Sequence, residues 1–338
     1  MAPVAGLVIS RRMAAFVGLA AVAVAFRLAL SYFVAPLSDV YYYDSQAVSS
    51  LLGGMDPYGH TFTGIPPALV TAGAQSVFAY LPGIFLFLVP FAPFDVRVAI
   101  VACELTVAWG IYALRGRWSL LASAVFLLLP FGALFSVVYP NNALPAMAFL
   151  GLAVLSESRN RRLPSAVLVG LAVASNQFVL LAFPFFVLLW YRRRGWTELA
   201  VSLLTAGAVV APFLAWNPGA FVQDTVYFEF SRSVYPLVSN TPWGVNLNPS
   251  VSGIAVSIAG TPGPAILRGA VVLGLLAFFL SRARGLRSSL LQLGMFLTIA
   301  MFILPGDFFW VYLELPLQVF LMWTAMSPMK EAADTLNA

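Results

Sequence analysis

Residues 159–194 read RNRRLPSAVLVGLAVASNQFVLLAFPFFVLLWYRRR. The fold turns on the apolar stretch between these two arginine clusters. An α-helix rises 1.5 Å per residue, and one crossing of a hydrocarbon core takes roughly 17–25 apolar residues. Residues 163–191 are too many for one span and too few for two ordinary ones. Arginines clustered between apolar runs mark cytoplasmic connections. Arg159, Arg161 and Arg162 therefore share a face with Arg192, Arg193 and Arg194, and the segment between them makes an even number of crossings. It is predicted to fold as two short helices, Pro164–Ala174 and Gln177–Trp190, turning near Ser175-Asn176. Half-depth helices of this kind are tolerated where they line a protein cavity instead of lipid.

The same parity extends to the other basic clusters, Arg11-Arg12, Arg115/Arg117, Arg282/Arg284/Arg287 and Lys330. Trp118–Leu134 and Asn141–Ser156 form a hairpin with Tyr139-Pro140-Asn141-Asn142 at its outer tip. Thr197–Ala215 leaves the cytoplasm and Ala265–Ser281 returns. Leu290–Leu304 leaves, turns around Pro305-Gly306-Asp307, and Phe309–Met326 comes back. The first run, Met13–Val34, is longer than a signal-peptide core and reads as a retained anchor. It exits and Val98–Leu114 enters, so Val77–Phe91 cannot be a net crossing and is expected to be a membrane-dipping juxtamembrane helix. The expected architecture is an all-α bundle of about ten spans with both termini cytoplasmic. It forms a single transmembrane domain over residues 1–338, with large external loops at 35–97 and 216–264. The charges partition accordingly: of the basic residues, only Arg27, Arg97, Arg232 and Arg268 fall outside cytoplasmic connections. Of the acids, only Glu157, Glu198, Glu331 and Asp334 fall inside them.

Composition supports a lipid environment. Hydrophobic residues make up 61% of the chain and charged residues 9%, where a soluble domain carries roughly a quarter charged. The net charge of +5 comes from short clusters between apolar runs, which is not a nucleic-acid footprint. Cys103 is the one cysteine and lies inside an apolar run, so disulfides play no part. His60 is the one histidine, which argues against zinc. No glycine-rich phosphate loop, Ser-His-Asp set or nucleotide fingerprint occurs, and there is no convincing internal repeat.

The candidate chemistry begins where the first helix leaves the membrane, in Ser38-Asp39-Val40-Tyr41-Tyr42-Tyr43-Asp44. A carboxylate held on a helix end at the membrane surface is well sited to deprotonate a hydroxyl arriving from outside. Equally, Asp39 reads as a helix cap and Asp44 as a solvated residue. Glu104 and Glu314 lie at membrane depth, where an ionisable group marks function or a buried pair, and Arg27 is the evident partner. Asn141, Asn142, Asn176 and Gln177 sit at the outer ends of helices. With Tyr80, Asp224, Glu229, Arg232, Arg268 and Asp307 they are placed to ring one external cavity. Turn chemistry is the competing account of Asn141 and Asn176.

The order of these motifs resembles the GT-C superfamily of membrane glycosyltransferases, most closely the polyprenol-phosphate-mannose-dependent mannosyltransferases. The likeness rests on Asp39 with Tyr41 or Tyr42, the small-residue helix Ala47–Leu52, Gly54-Met55-Asp56-Pro57-Tyr58 and Tyr80-Leu81-Pro82-Gly83. It continues at Tyr139-Pro140-Asn141-Asn142, Ala174-Ser175-Asn176-Gln177 and Trp216-Asn217-Pro218-Gly219. The resemblance implies an inverting transfer of a sugar, with mannose expected, from a polyprenyl-phosphate carrier to a lipid-linked or cell-envelope glycan on the external face. Asp39 would be the general base, and Arg232 and Arg268, then Arg27, would face the leaving phosphate. Tyr42, Asp44, Tyr80, Glu104, Asn141, Asn142, Gln177 and Asp307 would complete the substrate site, with no cofactor and no metal. The carrier's tail would enter beside the short helices. Two departures stand out: Gln177 replaces a lysine common in the family, and Pro305-Gly306-Asp307-Phe308-Phe309 lacks the family's His-Tyr step. A transporter or lipid-carrier flippase, and a catalytically silent subunit of a glycosylation complex, are the alternative readings.

Overall fold

Ser10 opens the first helix by accepting the Met13 N–H at its hydroxyl, and the apolar run then continues without a breaker as α1, Arg11–Phe33. The computed structural model describes residues 10–66, 77–128, 134–228, 238–241, 244–261, 264–304 and 313–327. After α1 come α2 (Asp39–Leu52), α3 (Gly83–Leu88), α4 (Val96–Ala113), α5 (Ser119–Leu128), α6 (Leu144–Ser158) and α7 (Arg162–Ser175). Then follow α8 (Phe183–Tyr191), α9 (Trp196–Trp216), α10 (Pro218–Val222), α11 (Val251–Ala259), α12 (Ala265–Arg282), α13 (Leu286–Ile303) and α14 (Glu314–Ala325). Four of these, α1, α4, α9 and α13, are long and apolar enough to cross a bilayer. The fold is that of a multi-pass helical membrane protein. A two-stranded antiparallel ribbon, Val238–Thr241 with Gly244–Leu247, is a local addition within the second long loop.

The buried centre is built from α4, α6, α7, α13 and α14. Small residues set the closest approaches. A Cβ on Gly170 of α7 would lie 2.5 Å from the Ser202 carbonyl of α9, so only glycine lets these backbones meet, a device common where helices pack in lipid.

Hydrogen bonds between connections divide the bundle into two ends. At one, Arg12 donates to the Gly116 carbonyl and Ser119 Oγ, and the Arg117 N–H to the Ser327 carbonyl. Arg287 reaches Ser327, Arg159 the Ala113 carbonyl and Arg192 the Ala283 carbonyl, while Arg193 pairs with Glu157. This is the arginine end. At the opposite, distal end, the Leu37 N–H donates to the Val138 carbonyl, Arg97 to the Val34 carbonyl and Gln177 to the Ala79 carbonyl.

The 163–191 stretch turns back at Asn176. That residue's Oδ1 accepts the Phe178 N–H and starts a 3₁₀ turn, Gln177–Leu181, leading into α8. The segment expected as a juxtamembrane helix over 77–91 is helical only from Gly83. A single turn, α3, passes into a 3₁₀ turn at Val89–Phe91. Ile84, Phe85 and Leu88 of this helix are fully buried in protein, while Leu86 is exposed. Gly83 is pressed onto the end of α7, where a Cβ would meet Ser175 Oγ at 2.5 Å and the Ala174 carbonyl at 2.7 Å. The end of α7 is thus covered by the chain itself.

Candidate active site

Midway along the bundle, Arg27 of α1 meets Glu104 of α4. Its Nε donates to Oε2 at 2.6 Å and a terminal nitrogen donates to Oε1, a two-pronged pair with both residues 2% exposed. The remaining donors go to the Ala23 and Leu127 carbonyls at 3.2 and 2.9 Å. An arginine fork matches a carboxylate in this way because its geometry is planar and fixed. Every side of the pair is occupied by protein. Arg27, the third candidate for the leaving phosphate, is therefore committed to Glu104, and Glu104 to Arg27.

At the distal end the two long loops are clasped together. Asp56 Oδ1 accepts the Tyr58 N–H at 3.0 Å, turning the chain so that the Tyr58 hydroxyl donates to the Tyr80 carbonyl at 2.8 Å. The Tyr58 ring is enclosed by Phe78, Phe85, Phe213 and Phe221. Burial, with Asp56 and Asp224 nearby, raises its phenol well above the ordinary value, which keeps it a donor. The next residue, Gly59, adopts φ +75°, and its N–H donates to Asp224 Oδ2 at 2.7 Å. A Cβ on Gly59 would stand 2.8 Å from the Ala220 Cβ. Sequence reading placed Asp224 at the cavity but missed this contact. The legible signal was a glycine directly after Asp-Pro-Tyr, a turn sequence.

Also at the distal end, Ser38 caps α2, and Asp39 is its first residue, half-buried, with Oδ1 accepting the Val40 N–H at 2.9 Å. Cap and candidate base are thus adjacent residues, not one. The helix N-terminus also favours a negative charge there. Asp44 is not solvated: it is 1% exposed, and its Oδ1 has no hydrogen-bond partner among the described residues. Burial pushes its carboxyl well above the ordinary aspartate range, and the charge of Asp39 pushes the same way. Tyr42 is half-buried and packs edge-on to Tyr41 with ring centroids 5.3 Å apart.

The other expected residues separate into two groups. Asn141 donates to Glu314 at 2.6 Å and accepts the Ala143 N–H at 2.9 Å, so turn chemistry and pairing hold together there. Asn176 is a cap, and Gln177 ties α7 to the Ala79 carbonyl. Asn142 is buried with its amide nitrogen unpartnered among the described residues. Arg268, in the first turns of α12, donates to Ser252 while its Nε has no partner among the described residues. Arg232, Glu229 and Asp307 lie outside the described residues. Among the described residues no cluster of side chains suited to a metal ion occurs.

A multi-pass helical protein, with a spent ion pair at mid-depth and under-satisfied polar groups gathered near one end, is the class these features define. The chain belongs to glycosyltransferase family 87, whose profile matches residues 78–305. Its fold is similar to that of ArnT from Cupriavidus metallidurans. The crystal structure bound to undecaprenyl phosphate aligns with a TM-score of 0.58 at 12% identity, covering 92% of this chain and 58% of ArnT. The apo structure aligns at 0.53 and 13%, covering 95% and 61%. This chain thus spans about three fifths of ArnT's length, and at such identity the likeness is one of fold. No curated protein matches the sequence.

Proposed function

We propose that this protein transfers a sugar from a polyprenyl-phosphate carrier to a hydroxyl acceptor at the distal end, the external one by the positive-inside reading. The observation that carries the proposal is the placement of Asp39. It heads α2 directly after the first spanning helix, at the distal end, in a chain belonging to a glycosyltransferase family.

In this reading Asp39 accepts the acceptor's hydroxyl proton while that oxygen bonds the anomeric carbon. The bond from that carbon to the carrier's phosphate oxygen breaks, and its electron pair leaves with the phosphate. Attack from the opposite face inverts the anomeric centre. The leaving group is already a phosphate ester, so it needs hydrogen-bond donors and positive charge more than it needs an acid. The unpartnered Nε of Arg268 supplies both, with Arg232 as the second basic candidate. Asp44, whose carboxyl burial pushes well above the ordinary aspartate range, and Asn142 offer uncommitted polar atoms for sugar hydroxyls. That ArnT was crystallised with undecaprenyl phosphate supports a carrier of that chemistry, and mannose is the first sugar to offer.

The test is transfer by the purified protein in lipid, offered radiolabelled polyprenyl-phosphate sugars and a membrane-lipid extract, with Asp39→Asn alongside. Transfer from one donor, lost in the variant, is the expected result. Full transfer by Asp39→Asn would end the assignment.

A further inference from the structure

The arginine end holds a feature that sugar transfer at the other end does not use. A cavity of about 550 Å³ opens there, lined on its polar side by Arg115, Arg159, Arg161 and Ser158. Its apolar wall is Ala113, Leu114 and Met326. Two separate connections supply the arginines: the turn after α4 and the turn between α6 and α7. Both are tight, with Arg115 and Asn160 each at φ +59°.

The walls are held in place by packing. Gly116 lies against the Ala325 carbonyl with no room for a Cβ. Arg12 braces the same turn through the Gly116 carbonyl and Ser119 Oγ, and the Arg117 N–H bonds the Ser327 carbonyl at 3.2 Å. Arg159 spends one N–H on the Ala113 carbonyl, leaving the rest of its guanidinium for other partners. Among the described residues the ion pairs are Arg27–Glu104, Arg97–Asp95 and Arg193–Glu157. None of the three cavity arginines pairs with a carboxylate among the described residues.

The positive-inside tendency explains why arginines collect on this side, and helix C-termini favour cations. Neither explains why three guanidiniums from two connections line one cavity with no counter-charge among the described residues. Guanidinium groups favour phosphate oxygens through paired hydrogen bonds, and basic pockets between helix ends at a membrane surface suit lipid headgroups.

We propose that this cavity binds the phosphodiester headgroup of an anionic phospholipid from the leaflet at the arginine end. The shared chemistry is a phosphate, and the apolar wall favours a lipid over free phosphate. Ala113 and Leu114 end α4 and Met326 follows α14, which places this wall where those helices reach the end of the bundle. Acyl chains and glycerol would lie along it while the phosphate meets the arginines.

The test is native mass spectrometry of the purified protein titrated with phosphatidylglycerol, phosphatidylcholine or inorganic phosphate. Arg159→Gln/Arg161→Gln would be compared with Arg282→Gln/Arg284→Gln, which removes the same charge from another connection at this end. Wild type is expected to retain phosphatidylglycerol in preference to phosphatidylcholine. The cavity pair should weaken that retention roughly 30-fold, at about fivefold per arginine, and the control pair no more than about fivefold. Equal losses in the two pairs, equal retention of phosphatidylcholine, or displacement of the lipid by inorganic phosphate at matched concentration would each overturn the proposal. Should the cavity pair misfold, photo-crosslinking of wild type with a headgroup-reactive phosphatidylglycerol decides. Adducts at residues 113–118 and 158–162 support the site, and adducts confined to other connections refute it.

Discussion

Glu104 and Asp44 are withdrawn from solvent to nearly the same degree, 2% and 1% exposed, yet their surroundings are opposite. Glu104 is gripped by both prongs of Arg27, and the same guanidinium is completed by two backbone carbonyls. Asp44 has an oxygen without a partner among the described residues and lies within electrostatic reach of a second acid. Burial alone therefore does not separate scaffold from site. A buried charge whose every lone pair and proton is met by protein serves the fold, because breaking it strands the other partner. A buried polar atom left unmet is costly, and the distal end collects several: Asp44, Asn142 and the Nε of Arg268.

The contrast can be broken most directly at Asp39. Asp39→Asn is expected to lower sugar transfer by about 10²–10⁴-fold, the usual worth of a positioned proton acceptor, with unchanged expression and melting temperature. A large loss of stability instead would move Asp39 to the scaffold side. Glu104→Gln should do the reverse, lowering stability by roughly 3–5 kcal/mol by stranding Arg27. The paired change Arg27→Met/Glu104→Leu should recover most of that loss in thermal melts in detergent. If the paired variant were stable but inactive, the ion pair would belong to the substrate path.

The clasp is a third case, a structural contact at the same end as the candidate base. Gly59→Ala forces a side chain into a left-handed conformation and against Ala220, at a cost of roughly 1–3 kcal/mol. Transfer should fall through a raised KM as the loops part, whereas a stability loss with unchanged KM would detach the clasp from the site.

The smallest effect is the pH response of Asp44. Below about pH 3.9 an aspartate is neutral in the folded and unfolded chain alike, so Asp44→Asn should be silent there. As pH rises, the unfolded chain ionises while burial holds the folded carboxyl neutral. Wild type therefore loses stability until pH reaches the raised folded value, and stays lower above it. The melting temperature of Asp44→Asn should gain on wild type as pH rises from about 3.9 toward the raised folded value. A constant difference would mean that Asp44 has a partner and belongs with Glu104.

Much of the scaffold was legible because lipid imposes local rules. A run of apolar residues either spans or does not, and arginines stay on one side of it. Hence α1, α4, α6, α7, α9, α12 and α13 begin and end within a few residues of expectation, and the chain does turn back at Ser175-Asn176. The fate of 77–91 was not legible. Its apolar content does not say where the helix begins or which face packs on protein, and the Gly83 contact with α7 comes only with the tertiary structure. At the site, the motif order pointed to Asp39 and to a cavity-facing set. Which of that set would be consumed by the fold depended on packing.

The sequence by itself determined where the apolar helices lie along the chain, because each depends on the composition of one short segment suited to lipid. Only the tertiary structure decided which polar residues are spent. Arg27 with Glu104, Gly59 with Asp224 and Asn141 with Glu314 are partners 77, 165 and 173 positions apart. No local pattern encodes such pairings, since hydrogen bonds of a few ångströms form only after helices distant in sequence have packed.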